Sequence, residues 1–148
     1  MDDQPLCHHE FPILGSAYFL GGRASTSVKR VLSEFGVDGE TIQRVSVACY
    51  EAEMNVVLHA VSGYIALDLF ADRVEVSVKD RGPGIDDIEL AMTPGWSSAT
   101  EEARALGFGA GMGLPNIKGQ ADEMEIESPP GEGVRMKLVF RRGDQGDE

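Results

Sequence analysis

The sequence predicts an α+β domain, a two-layer sandwich in which a mostly antiparallel sheet of four or five strands is covered on one face by about three helices. Two hydrophobic spacings support this fold, because apolar residues recur every three to four positions in two long segments and alternate in four others. The length of 148 residues fits one domain. Helices packed on one face of an antiparallel sheet bury both kinds of apolar surface.

Three helices are expected. The first follows the helical spacing of apolar residues from Ala24 to Phe35, and Gly36 comes after it as a C′ residue. The second begins at Asp38, a favourable N-cap, and runs to about Ala60. The third is short and runs from Leu114 to about residue 122, with a proline in the first turn, where a missing N–H costs little.

The strands are predicted from alternating residues. Residues 11–14 form a short edge strand, where a proline is tolerated. A hairpin joins residues 65–69 to 74–78 through the turn at 71–73, and a second hairpin closes the chain with residues 124–126 and 134–140. The folded domain is therefore expected to span residues 10–142, between a flexible tail at 1–9 and a flexible acidic tail at 143–148.

The charge balance excludes several classes of function. Thirteen Lys and Arg against twenty-five Asp and Glu give a net charge of −12, which argues against direct contact with nucleic acid or an anionic membrane. No apolar run reaches the length of a membrane span, and the amino terminus lacks the basic start of a signal peptide. Two cysteines cannot form a disulfide framework, so a cytoplasmic protein is expected.

The first candidate site lies in the second helix. Glu51 and Asn55 are four residues apart and share a helix face, which His59 extends by one turn. A carboxylate beside an amide suits a general base and a ligand for a hard metal ion. An isolated pair with this spacing more often lies on a solvated face, so the pair alone is weak evidence.

Two further motifs follow in a fixed order. Asp80 is in phase with the buried positions of its strand, so its carboxylate needs a partner such as an exocyclic amine. Gly82 and Gly84 would let the chain turn closely around a flat ligand; a capped turn is the alternative. Residues 107–113 are rich in glycine and directly precede the third helix, which makes them a candidate anion site or, alternatively, a flexible surface loop.

Together, the three motifs resemble the N, G1 and G2 boxes of the GHKL ATPase superfamily, which gyrase, a heat-shock chaperone, histidine kinases and MutL share. Within it, the chain looks most like the bacterial anti-sigma-factor serine/threonine kinases and their partner-switching relatives, over about residues 10–141. That resemblance implies the Bergerat ATP-binding fold. The residues that it assigns to ATP and Mg²⁺ are Asn55, Asp80, Gly82, Gly84, Ile85, Arg104, Gly109, Gly111, Met112, Gly113 and Leu114.

The resemblance also implies individual roles. Glu51 should be the base that takes the proton from a serine or threonine hydroxyl, Asn55 should be the Mg²⁺ ligand, and Asp80 should bind the adenine amine. Residues 93–111 should form a lid over the nucleotide, and we hypothesise that Arg104 folds over the γ-phosphate. Several relatives carry a threonine of the adenine-binding network where this chain has Val134, which puts the strength of adenine binding in question.

Two functions follow from the resemblance. The first is an ATP-dependent protein kinase whose substrate is a STAS-domain protein of the anti-anti-sigma type or a scaffold, with a sigma factor or a phosphatase as a further partner. The second is a nucleotide-gated binding module with little or no phosphotransfer. The catalytic half of a histidine kinase is disfavoured, because the chain has no room for a dimerisation hairpin. A homodimer is left open.

Overall fold

The computed structural model describes residues 3–17, 20–85, 87–93 and 113–143. The strands and helices of these residues follow in the order β1 Cys7–Leu14, α1 Arg23–Glu34, α2 Gly39–His59, β2 Ser62–Leu69, β3 Arg73–Arg81, α3 Ile88–Ala91, α4 Gly113–Gln120, β4 Glu123–Glu127 and β5 Arg135–Arg141. The α+β prediction is confirmed.

The strands form one five-stranded sheet in the spatial order β1-β2-β3-β5-β4. Each of the four neighbouring pairs is antiparallel. β3 is therefore the central strand. It belongs to the first predicted hairpin, β2–β3, and pairs on its other side with β5 of the second predicted hairpin, β4–β5. The apolar residues of β2, β3 and β5 that point to one face are at most 5% exposed: Ile65, Leu67, Leu69, Val74, Val76, Val78, Met136, Leu138 and Phe140.

The helices cover that apolar face. α2 packs against four of the five strands and also against α1 and α4. Its stripe of Val45, Ala48, Cys49, Ala52 and Val56 is at most 1% exposed. Burial of these residues fixes the rotation of α2 about its axis, because the apolar stripe of a helix turns toward the core. None of the helices in the described ranges has the length and apolar content needed to cross a membrane.

Both ends of the predicted domain differ from the structure. β1 begins at Cys7 rather than near residue 10, because Cys7, His8 and His9 pair with the far end of β2. These residues were expected in a flexible tail because they are polar. Their backbone hydrogen bonds come from β2, which is distant in the sequence, so the local sequence does not predict the strand. Gly143 was also expected in a tail, but its N–H donates to Asp38 Oδ1 at 3.1 Å.

Candidate nucleotide-binding site

α2 presents Glu51 and Asn55 at one edge of the core. Its N-cap is Asp38, whose carboxylate accepts the Thr41 N–H at 3.0 Å, as the sequence predicts. Ala52 and Val56 are buried beside the two polar residues, while Glu51 and Asn55 themselves are only half-buried. The helix therefore leaves one polar strip accessible on an otherwise buried segment.

The start of α4 lies against this strip. A Cβ added to Gly113 would be 3.2 Å from Asn55 Oδ1 and 3.6 Å from Glu51 Oε1, so two side-chain oxygens face the same backbone position. One turn further along α4, Asn116 Nδ2 donates to Glu51 Oε2 at 3.4 Å. The backbone N–H groups at the start of a helix favour anions, so carboxylate, amide and anion-binding groups meet at this point.

Asp80 lies on the inner face of β3, near its end, and is half-buried. Its backbone pairs with Val134 through Asp80 N–H to Val134 O at 3.0 Å, and its Oδ1 accepts the Val134 N–H at 3.1 Å. Burial raises the pKa of Asp80, against the opposing effects of the Val134 N–H and of His59. None of the described residues donates a hydrogen bond to Oδ2, so this oxygen is available to a ligand.

Tightly packed glycines surround Asp80. A Cβ on Gly133 would lie 2.7 Å from Asp80 Oδ1, and one on Gly84 would lie 2.6 Å from Ser128 Oγ. Ser128 holds two turns together, because its Oγ accepts the Ile85 N–H at 2.7 Å and donates to Gly133 O at 2.9 Å. These positions leave no space for a side chain, so the backbone itself forms the wall beside the carboxylate.

The end of α2 lies between the residues around Gly113 and the residues around Asp80. His59 continues the row of Glu51 and Asn55, with about 6 Å between successive members. Burial lowers the pKa of His59, although the residue as a whole is exposed, and the Asp80 carboxylate opposes that shift. A Cβ on Gly82 would lie 2.9 Å from Ala60 Cα. The polar strip of α2 thus runs from the start of α4 to the turn that follows Asp80.

Comparison with known proteins identifies the family of the domain. A family described as "Histidine kinase-like ATPase domain" matches residues 22–138, a range that includes both ends of the polar strip. The chain belongs to the histidine kinase-like ATPase domain family. The resemblance inferred from the three motifs is confirmed at this level.

Relatives of this histidine kinase-like ATPase domain include two kinds of regulator. The serine/threonine-protein kinase RsbT of Bacillus subtilis is 31% identical over 115 residues, which are 75% of this chain and 80% of the relative. The anti-sigma F factor of Caldanaerobacter subterraneus subsp. tengcongensis is 32% identical over 121 residues, which are 78% and 81% of the two chains.

The fold recurs in a solved structure. The crystal structure of the RsbU and RsbW domains of Rv1364c from Mycobacterium tuberculosis superposes with a TM-score of 0.61 at 22% identity. The match covers 93% of this chain and 33% of the other, so this chain spans about a third of the length of that crystallised chain. At this level of identity the likeness supports the histidine kinase-like ATPase fold only.

The structure brings most of the described site residues predicted for this ATPase domain into two groups. Glu51 and Asn55 lie together with Gly113, and Asp80 lies with Gly82, Gly84 and Ile85. The Leu114 side chain is buried in the core at 6% exposure, so only its backbone remains for a ligand. The predicted residues Arg104, Gly109, Gly111 and Met112 lie outside the described residues, as does most of the predicted lid.

Sequence reasoning assigned no role to three polar residues whose side chains make structural hydrogen bonds. Glu53 is 2% exposed and accepts the N–H groups of Gly22, Ala24 and Ser25 at 2.9–3.1 Å, which caps α1. Ser128 and Asn116 are the other two. The position of Asn116 just after a glycine motif is a weak sequence signal for a site residue. Glu53 has no such signal, because its hydrogen-bond partners lie 28–31 residues away and no local pattern identifies them.

Proposed function

We propose that this protein is an ATP-dependent serine/threonine kinase of a bacterial partner-switching module. Its substrate is a STAS-domain protein of the anti-anti-sigma or scaffold type. The observation that carries the proposal is the common orientation of Glu51 and Asn55 toward Gly113 at the start of α4. The similarity to a serine/threonine-protein kinase over 80% of that relative supports the same activity.

Adenine binding is assigned to Asp80. Its Oδ2, to which none of the described residues donates, would accept the exocyclic amine, and the wall formed by Gly84 and Gly133 has the close backbone approach that a flat base requires. Val134 lacks the hydroxyl that several relatives place here, but its N–H already holds Asp80 Oδ1 in position. The carboxylate is thus oriented without that hydroxyl.

The phosphates are assigned to the other end of the polar strip. The Gly113 and Leu114 N–H groups at the start of α4 would hold phosphate oxygens. The residues fit Mg²⁺, since Asn55 Oδ1 and Glu51 Oε1 are hard oxygen donors facing one point. Asn55 would be its protein ligand, and the ion would supply positive charge beside the phosphates.

Proton transfer is assigned to Glu51. As the substrate hydroxyl oxygen bonds to the γ-phosphorus, the bond to the β,γ-bridging oxygen breaks and ADP leaves, while Glu51 takes the hydroxyl proton. Asn116 holds Oε2 of Glu51, which leaves Oε1 on the side of Gly113. The carboxylate is therefore fixed before the substrate arrives.

A nucleotide-gated binding module is the second candidate, because other relatives carry the name anti-sigma F factor. In that case ATP would set the affinity for a sigma factor or another regulator, and little phosphate would be transferred. A sigma factor, a phosphatase and a homodimer remain candidates for further partners. The two functions differ in their need for Glu51.

The experiment is incubation with Mg-ATP and the STAS-domain protein encoded nearest to this one, followed by intact-mass measurement for an added phosphate. We expect phosphorylation by the wild type, none by Glu51→Gln, and normal phosphorylation by Glu40→Gln, an exposed glutamate in the first turn of the same helix. Nucleotide-dependent binding of that protein without any added phosphate would favour the binding module.

A further inference from the structure

The face of the sheet opposite the helices carries an unusual combination of side chains. We call it the outer face: the alternate residues of the strands that point away from the core. Near one end, the register places Pro12, Tyr64, Lys79, Arg135 and Glu127 in one row across all five strands. The row runs from apolar through cationic to anionic residues.

The apolar part is exposed. Leu14 on β1 is 62% exposed, and Tyr64 on β2 is 38% exposed. Large apolar side chains on adjacent strands of an uncovered sheet face are typical of a contact surface. A depression of about 260 Å³ begins at Tyr64 and continues over Lys79 to Arg135 and Lys137, and Glu125 and Glu127 line it on the β4 side.

The cationic part lies on the central strand. Lys79 and Arg81 are both exposed, and neither has an ion pair among the residues that the structure describes. The neighbouring cations of β5 differ, because Arg135 pairs with Glu127 at 3.1 Å and Lys137 pairs with Glu75 at 3.6 Å. In a chain of net charge −12, two adjacent cations beside apolar groups favour an anionic partner.

In one arrangement a second copy of the chain is disfavoured as that partner: a two-fold axis along the central strand β3 would bring Lys79 and Arg81 close to the same residues of the other copy. Sedimentation decides between the acidic segment and other arrangements of two copies. Nucleic acid is disfavoured too, because the net charge of −12 repels phosphates over the rest of the surface.

We infer that the outer face docks an acidic segment of a partner protein. Its apolar side chains cover Leu14 and Tyr64, and its carboxylates pair with Lys79 and Arg81. Since Asp80 points to the opposite face of β3, this surface is separate from the nucleotide site, and a partner can occupy it while nucleotide is bound. The inference does not depend on the proposed kinase activity.

The test is an NMR titration of the full-length, ¹⁵N-labelled protein with a synthetic peptide of Leu-Glu-Glu repeats. A peptide of Leu-Lys-Lys repeats is the matched control. We expect saturable shifts at the amides of residues 62–66, 77–81 and 135–137 with the acidic peptide only. Binding should weaken as salt is raised, because exposed charge pairs are screened.

Variants locate the contact. Lys79→Glu should weaken binding of the acidic peptide by about fivefold or more, since it replaces an attraction with a repulsion. Leu14→Ser should weaken binding of the acidic peptide by removing an apolar contact. Lys29→Glu, which makes the same charge change on an exposed position of α1, should leave binding unchanged. Lys79→Gln replaces Lys79→Glu if the latter unfolds.

Several results would overturn the inference. One is the absence of saturable shifts up to about 5 mM peptide, since binding weaker than that is too weak for a specific contact. The others are equal binding of the Leu-Lys-Lys peptide and shifts that map to the helical face. Sedimentation that shows a dimer dissociated by Leu14→Ser would assign the surface to a second copy and overturn it as well.

Discussion

Glu53→Ala should remove the cap of α1 and lower stability strongly. The Glu53 carboxylate is 2% exposed and accepts three backbone N–H groups, at 3.0 Å from Gly22, 3.1 Å from Ala24 and 2.9 Å from Ser25. The Ala24 and Ser25 bonds are buried, and an unsatisfied buried donor costs about 1–3 kcal/mol. The two together give a loss of about 2–6 kcal/mol in the free energy of unfolding.

Urea denaturation followed by circular dichroism measures this loss. With a slope of about 2 kcal/mol per M, a loss of about 3 kcal/mol lowers the midpoint by about 1.5 M. Glu51→Gln is the matched control, because Glu51 is half-buried on the same helix two residues away, and its midpoint should stay near that of the wild type. A Glu53→Ala midpoint within about 0.3 M of the wild type would refute the capping role.

Three further substitutions test the site and its supports. Burial raises the pKa of Asp80 from its ordinary value of 3.8, so the folded state binds that proton more tightly and loses stability as the pH rises through the raised pKa. Asp80→Asn should therefore raise the melting temperature at pH 7 and abolish the further rise that ADP produces in the wild type, both read by differential scanning fluorimetry. Gly133→Ala should weaken ADP binding in calorimetry about tenfold or more. Gly131→Ala is the control and should leave binding unchanged. Both glycines have φ near +78, but only a Cβ at residue 133 would contact Asp80. Asp38→Ala should lower the free energy of unfolding by about 1 kcal/mol at neutral pH. Burial alone would raise the pKa of Asp38, but hydrogen bonds from Thr41 and Gly143 lower it overall. The difference in stability between Asp38→Ala and the wild type, measured in urea melts, should therefore vanish as the pH falls through that lowered pKa.

Local chemistry predicted the helices well. α2 begins after Asp38 and ends one residue before Ala60, because a capping side chain and a long apolar stripe both act within a few residues along the chain. α1 likewise ends just before Phe35 and Gly36, and Gly36 has φ 73, the conformation that glycine adopts at no steric cost.

Distant contacts were not predictable in the same way. The polar residues at the start of β1 form a strand only because β2 supplies backbone partners, and the short helix α3 was not anticipated in the stretch after Gly84. Glu53 is an equally clear case. Within Glu51-Ala52-Glu53 one carboxylate is accessible and the other is buried, and only the packing of α1 decides which is which.

The direct measurement of the central claim is calorimetric titration of the protein with ATP and with ADP, with and without Mg²⁺. If Glu51, Asn55, Asp80 and the start of α4 form one nucleotide site, the wild type binds both nucleotides saturably. Asp80→Asn then abolishes binding, and Asn55→Ala removes only the strengthening that Mg²⁺ produces. No binding of either nucleotide at millimolar concentration, or full binding by Asp80→Asn, would contradict the account.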